Sequence, residues 1–270
     1  MARKKSLSEP AVCDPDHVSA AQVPLHFLPG PAKQTAAGPL FRYPSTVSHH
    51  HSHGQERHGH AHDRGLSGLA RYLSLLPYMW RSPVSDAVVA LVRPQPGERV
   101  VDLGAGMGPA TVVAARTGAQ VLAVDPTPFM RRILKLRLLT NSRRALITVL
   151  EGAAESLPLE TGSVDALWTV NTVHHWTSVA SAVAEMKRVL RPGGRVVLVD
   201  EDFEDPTHPS YELMHARRAG HARHFAEVDP KVVAAVFQEH GFSAVAGGLE
   251  RVAGRPAKLI RATAPSIRPG

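Results

Sequence analysis

Short apolar runs alternate with stretches of helical periodicity along most of this chain. Val100, Val101 and Leu103 form one such run, Val121 to Val124 a second, and Val196 to Val199 another. Runs of this length without polar alternation suit strands buried on both faces. The pattern predicts strands near 99–103, 120–124, 146–150, 165–170, 194–200, 242–250 and 257–263, and helices near 109–117, 128–139, 178–190 and 229–240. Strand and helix in alternation predict an α/β fold, a doubly wound parallel sheet with helices on both faces. Upstream, Leu69, Leu73, Leu76 and Met79 recur at helical spacing, and Asp86 to Val92 reads as a short helix before the turn Pro94-Gln95-Pro96-Gly97. Tyr78, Trp80 and Arg81 lie where they could touch a ligand beside the first strand, although packing alone also explains the aromatics. Residues 1–65 keep no period and are rich in Pro, Gly, Ser and His, so they read as a disordered His-rich tail ahead of a folded domain at 66–265.

Composition narrows the setting. Cys13 is the one cysteine, so no internal disulfide forms, and no apolar run approaches the roughly 20 residues that cross a bilayer. A cytoplasmic protein without a membrane partner is expected. The net charge of +7 is spread out: residues 1–65 hold seven Lys/Arg and five Asp/Glu. Arg131 to Arg144 is the densest basic stretch, and its Ile133, Leu134, Leu136, Leu138 and Leu139 make it an amphipathic helix with a solvated basic face. No aromatic residues are interleaved for stacking, so a nucleic-acid partner is not expected. His49, His50, His51, His53, His58, His60 and His62 crowd the tail, where neutral imidazoles would bind metal loosely. No Cys/His spacing of a structural zinc site occurs, and no metal site is assigned.

The chemistry centres on Arg99-Val100-Val101-Asp102-Leu103-Gly104-Ala105-Gly106-Met107-Gly108-Pro109. Glycines after a buried strand let the backbone turn sharply and approach a ligand, and Pro109 suits the first position of a helix. Strand, glycine turn and helix make a nucleotide-binding corner. The dinucleotide fingerprint wants Gly or Ala where Pro109 stands, so the spacing is G-x-G-x-G instead. Asp125, closing the next apolar run, could hold both ribose hydroxyls.

That spacing after Val-Val-Asp-Leu resembles the first motif of the class I S-adenosylmethionine-dependent methyltransferases. Glu151-Gly152-Ala153-Ala154-Glu155-Ser156-Leu157-Pro158 and Arg188-Val189-Leu190-Arg191-Pro192-Gly193-Gly194 resemble signatures of its small-molecule branch, with the quinone, sterol and arsenite methyltransferases. The resemblance covers residues 85 to 202 well and implies a Rossmann-like, mostly parallel seven-stranded sheet of order 3-2-1-4-5-7-6. It implies S-adenosyl-L-methionine as cofactor, a small-molecule substrate, and cofactor contacts from Asp102, Gly104, Ala105, Gly106, Asp125, Pro126, Ala153, Ala154 and Asn171. The chain departs from the pattern at Ala153, where the family's aspartate would accept from the adenine amino group; Glu155 is a candidate substitute. His174 and His175 fall where the strands open, and either imidazole could take a proton from the acceptor, His175 being slightly favoured. Asp200, Glu201, Asp202, Glu204 and Asp205 follow the fifth strand and read as a solvated turn, or as a cation-attracting mouth with His208. His215, His221 and His224 belong to the insertion expected to cover the substrate. Two other classes stay open, an RNA or protein methyltransferase and a metal-responsive binding protein with a non-catalytic methyltransferase-like domain.

Overall fold

The computed structural model describes residues 80–217 and 228–266. The His-rich tail, the Leu69 to Met79 periodicity, Tyr78, His221 and His224 lie outside them. The elements in chain order are α1 (Pro83–Val92), β1 (Arg99–Leu103), α2 (Pro109–Ala114), β2 (Gln120–Asp125), α3 (Pro128–Leu138), β3 (Ile147–Glu151), β4 (Val164–Val170), α4 (Val179–Val189), β5 (Leu190–Glu201), α5 (Tyr211–Arg217), α6 (Pro230–Glu239), β6 (Ser243–Val252) and β7 (Arg255–Thr263). The sheet order is β3-β2-β1-β4-β5-β7-β6, as expected, with β7 antiparallel to both of its neighbours.

The strand runs are apolar throughout because both faces are covered. Val100, Val121, Ala123, Trp168 and Val197 point to the layer of Val84, Val88, Leu134 and Leu138 from α1 and α3. Their chain neighbours Val101, Leu122, Val124, Leu167 and Val196 point to Val183, Met186, Val233 and Phe237 from α4 and α6. The period of two along a strand thus divides one apolar run between two cores.

Three details differ from the sequence reading. β5 begins at Leu190 and not near 194, and Pro192-Gly193-Gly194 is a bulge within it, since Leu190 pairs with Val164 and pairing resumes only at Arg195 with Ala166. The last two strands run to the tight turn Ala253-Gly254, where φ is 51° and 76°, the left-handed pair that a two-residue hairpin uses. On α3, Leu134 and Leu138 are buried, whereas Leu136 and Leu139 are 65% and 64% exposed, so apolar residues also occupy the basic face.

Candidate active site

The parallel strands β1, β2, β4 and β5 all end on one side of the sheet, and the loops that follow them build the site there. After β1 the chain turns through Gly104 and Gly106, both with positive φ, 70° and 54°. Gly104 and Ala105 donate to the Val124 carbonyl at 2.8 and 3.1 Å, which pins the turn against β2. The two glycines serve different purposes. A Cβ on Gly104 would overlap the γ-methyl of Thr172, so here the close neighbour is the loop after β4. A Cβ on Gly106 would meet nothing nearer than the Gly104 carbonyl at 4.0 Å. The open face of the turn is therefore at Gly106.

Two carboxylates flank this face. Asp125, 6% exposed, accepts from Gly106 N and Thr127 N at 2.8 Å each, one on each oxygen. Burial raises its pKa against the pull of those two N–H groups. Each oxygen keeps acceptor capacity for a ligand hydroxyl. Asp102, 3% exposed, accepts from the Thr111 hydroxyl at 2.5 Å. Burial pushes its pKa to about 6, opposed by Thr111 and by the Trp168 indole N–H, which is near it yet outside hydrogen-bonding geometry.

A raised acid pKa sets the sign of a stability effect. The folded chain holds the Asp102 proton more tightly than the unfolded chain, so stability present below about pH 4 is lost as pH rises through about 6. Asp102→Asn is expected to raise the thermal midpoint of the ligand-free chain at pH 8 and to have little effect at pH 4. The difference is on the order of 2–3 kcal/mol. An equal shift at both pH values would count against a buried, reluctantly ionised Asp102.

The segment after β3 is held by α4. Glu185 accepts from Leu157 N at 2.8 Å, while Arg188 donates to the carbonyls of Leu157 and Leu159 at 3.0 and 2.8 Å. Ala154 is buried, and Ala153 is half-buried at the end of the strand. Glu155 is committed elsewhere: its Oε1 accepts from Thr177 N, Thr177 Oγ1 and Ser178 N at 2.6, 2.9 and 3.3 Å, tying it to the entry of α4. Burial works against its charge, but these donors prevail and hold its pKa low. One Glu155 oxygen is thus engaged at the entry of α4.

The loop after β4 contains both candidate histidines. Asp200, at the end of β5, accepts from Thr172 N and Val173 N on one oxygen, at 2.9 and 3.4 Å. Its other oxygen takes His174 N at 3.3 Å and His174 Nδ1 at 3.0 Å. The His174 side chain is 2% exposed, whereas His175 faces solvent with its ring centroid 4.0 Å away. Nδ1 faces the Asp200 carboxylate, and Nε2 is on the opposite, buried edge of the ring. The His174 ring is thus fixed against Asp200 with its Nε2 closed off from solvent, whereas His175 lies at the surface.

Glu201 corrects the reading of the acidic run. Its side chain is fully buried, and its Oε2 accepts from His208 Nε2 at 3.0 Å and Arg255 Nη1 at 2.8 Å. Oε1 accepts from Asn171 Nδ2 at 2.9 Å, and Glu201 N donates to Asn171 Oδ1 at 2.7 Å. His208 Nδ1 accepts from Ser210 N at 3.0 Å, which turns Nε2 toward Glu201. Asp200 and Glu201 are neither a solvated turn nor a cation mouth; only Asp202, Glu204 and Asp205 behave as turn residues. Asn171, at φ 56°, commits both ends of its side-chain amide to Glu201.

Residues 101–198 match the methyltransferase domain family. An uncharacterised methyltransferase of Mycobacterium tuberculosis is 43% identical over 106 residues, 39% of this chain and 41% of the relative. A demethylmenaquinone methyltransferase of Renibacterium salmoninarum is 33% identical over 136 residues, 50% of this chain and 52% of the relative. The chain thus spans about two fifths to one half of the length of these curated relatives. A solved S-adenosylmethionine-dependent methyltransferase from Aquifex aeolicus shares the fold with a TM-score of 0.52 at 19% identity, covering 73% of this chain and 97% of that one.

Proposed function

We propose that this chain is a class I S-adenosylmethionine-dependent methyltransferase and transfers the methyl group of that cofactor to a small-molecule acceptor. The observation that carries the reading is the meeting of two features at one end of the sheet. One is the glycine turn, open at Gly106 and flanked by Asp102 and Asp125. The other is the His174–Asp200 pair, its histidine on the loop after β4 that packs against Gly104 through Thr172.

The residues present fit the cofactor. Asp125 would take the ribose hydroxyls, with Pro126 and the backbone of Ala105 beside them. Ala153 and Ala154 would border the adenine, Asp102 would face the amino group, and Asn171 would lie beneath. S-adenosylmethionine supplies an electrophilic methyl group on a sulfonium. His174 would accept the acceptor's proton on Nε2 as the acceptor atom takes the methyl carbon and the S–CH3 bond pair passes to sulfur, leaving S-adenosylhomocysteine, with Asp200 holding Nδ1–H and steadying the imidazolium. Asp200 is a positioning residue in this scheme. The demethylmenaquinone methyltransferase relative makes a quinone-type acceptor the first to assay. A cytoplasmic location belongs to the same reading; among the described residues no helix is long and apolar enough to cross a membrane.

Incubation with methyl-labelled cofactor, first with demethylmenaquinone and then with a cell extract separated into small molecules, RNA and protein, tests the reading. Label in the small-molecule fraction supports it, and label confined to RNA or protein refutes the acceptor class. Ala153→Asp supplies a smaller check, since one Glu155 oxygen is already engaged at Thr177. The new carboxylate is expected to tighten S-adenosylhomocysteine binding by up to about tenfold, and an N6-methyl analogue should lose part of that gain. Flat or weaker binding in calorimetry would mean that adenine does not lie at the end of β3.

A further inference from the structure

The outer face of α3 gathers positive charge with nothing to balance it. Between residues 126 and 150 stand six cations, Arg131, Arg132, Lys135, Arg137, Arg143 and Arg144, and no carboxylate. Two of the six turn inward. Arg131 pairs with Glu151 at 2.5 Å and donates to the Asp125 carbonyl, and Arg137 donates to the Met107 carbonyl. Arg132, Lys135, Arg143 and Arg144 are exposed, and among the described residues none of these four is in an ion pair.

Large apolar side chains share this face. Leu134 and Leu138 are buried on the sheet, so at 3.6 residues per turn Phe129, Arg132, Lys135, Leu136 and Leu139 come round to the other side. Leu136 and Leu139 are 65% and 64% exposed, and Phe129 is 41% exposed. A lone exposed leucine is ordinary. Of the eight large apolar side chains exposed among the described residues, however, three fall on α3 and its C-cap, which makes a patch.

We propose that the outer face of α3, through Arg132, Lys135, Leu136 and Leu139, docks this chain on the surface of an anionic lipid bilayer. Long basic stems let the charges stay at the depth of the headgroup phosphates while neighbouring leucines enter the acyl boundary below them. A nucleic acid would use the cations and leave the leucines in water, and Phe129 is the one aromatic side chain between 126 and 150 on which a base could stack. A second copy of the same face would bring like charges together. The sequence reading expected no membrane partner because no run crosses a bilayer; a helix of eleven residues lying in the interface needs no spanning length. α3 begins three residues after Asp125, so one end of the docked face adjoins the end of the sheet that carries the site.

The test is cosedimentation of the full chain with vesicles of mixed phosphatidylglycerol and phosphatidylcholine, against vesicles of phosphatidylcholine alone. The parent is expected to bind the anionic vesicles, less so as salt rises, and to leave the neutral ones in suspension. A net charge of +7 would by itself draw the chain to anionic lipid, so the deciding variant removes no charge. Leu136→Ser combined with Leu139→Ser should weaken binding by about tenfold or more. Val232→Ser, at a 61% exposed position of α6 on the opposite face of the sheet, should not change it. Arg132→Gln and Lys135→Gln should each weaken it by about fivefold. All these side chains are exposed, so the variants should keep the parental melting midpoint and S-adenosylhomocysteine affinity, which separates lost docking from lost folding or a lost cofactor site. A parent that ignores anionic vesicles, or a double serine variant that binds them as well as the parent, would overturn the proposal. Tighter binding to a single-stranded RNA that depends on Arg132 and Lys135 and is indifferent to the leucines would overturn it too, in favour of a nucleic acid.

Discussion

His174→Gln is expected to lower kcat by about two to four orders of magnitude, the usual contribution of a positioned general base, with S-adenosylhomocysteine affinity unchanged. The side chain touches Asp200 at 3.0 Å and is 2% exposed, so a glutamine of similar reach can fill the space without titrating. Asp200→Asn should cost at least as much by another route. Its amide N–H2 would face His174 N and Nδ1, forcing the ring to keep its proton on Nε2, the wrong tautomer for a base. The same change weakens the hold on Thr172 N and Val173 N, so a stability loss of about 1–3 kcal/mol accompanies it. His175→Gln, on the exposed neighbour, should leave kcat near the parental value. The measurement is single-turnover transfer of labelled methyl to the identified acceptor. Parental kcat in His174→Gln would remove the base from the mechanism and leave alignment of the acceptor as the source of rate.

The contrast between the two histidines shows where the sequence was legible. Strand and helix positions could be read because each strand is buried on both faces, which writes an unbroken apolar run. The glycine turn and Asp125 could be read because their partners are close in sequence or at the end of the next strand. The Asp200 contact could not, since it spans 26 residues and depends on which imidazole the loop turns inward. Glu201 was misread for a related reason. Carboxylates crowded in sequence suggest solvent, but β5 carries Glu201 inward to Asn171 and Arg255, donors from distant segments, and to His208 seven residues on. Periodicity had a limit of its own on α3, where apolar residues all round the helix do not say which of them, Leu134 or Leu136, meets the sheet.

Gly106→Ala is expected to abolish measurable S-adenosylhomocysteine binding while leaving a folded chain. The added Cβ has only the Gly104 carbonyl at 4.0 Å for company, so the free protein accommodates it apart from the backbone cost of φ 54°. That cost is about 1 kcal/mol, a small shift in the melting midpoint. Under the proposed assignment the open space it enters is the space the cofactor needs, and each 1.4 kcal/mol lost there is about tenfold in affinity. Gly104→Ala should fail differently. Its Cβ overlaps the Thr172 γ-methyl, so it must displace the loop that carries His174, lowering both stability and kcat. Adding Thr172→Ser removes that methyl while keeping the hydroxyl that pairs with Thr169, and should restore part of the melting midpoint. No such second change can rescue Gly106→Ala, because the obstruction there is to the ligand and not to the fold. Calorimetry and thermal unfolding on the three variants separate the cases, and Gly106→Ala binding S-adenosylhomocysteine as tightly as the parent would mean that the ligand does not lie over this turn.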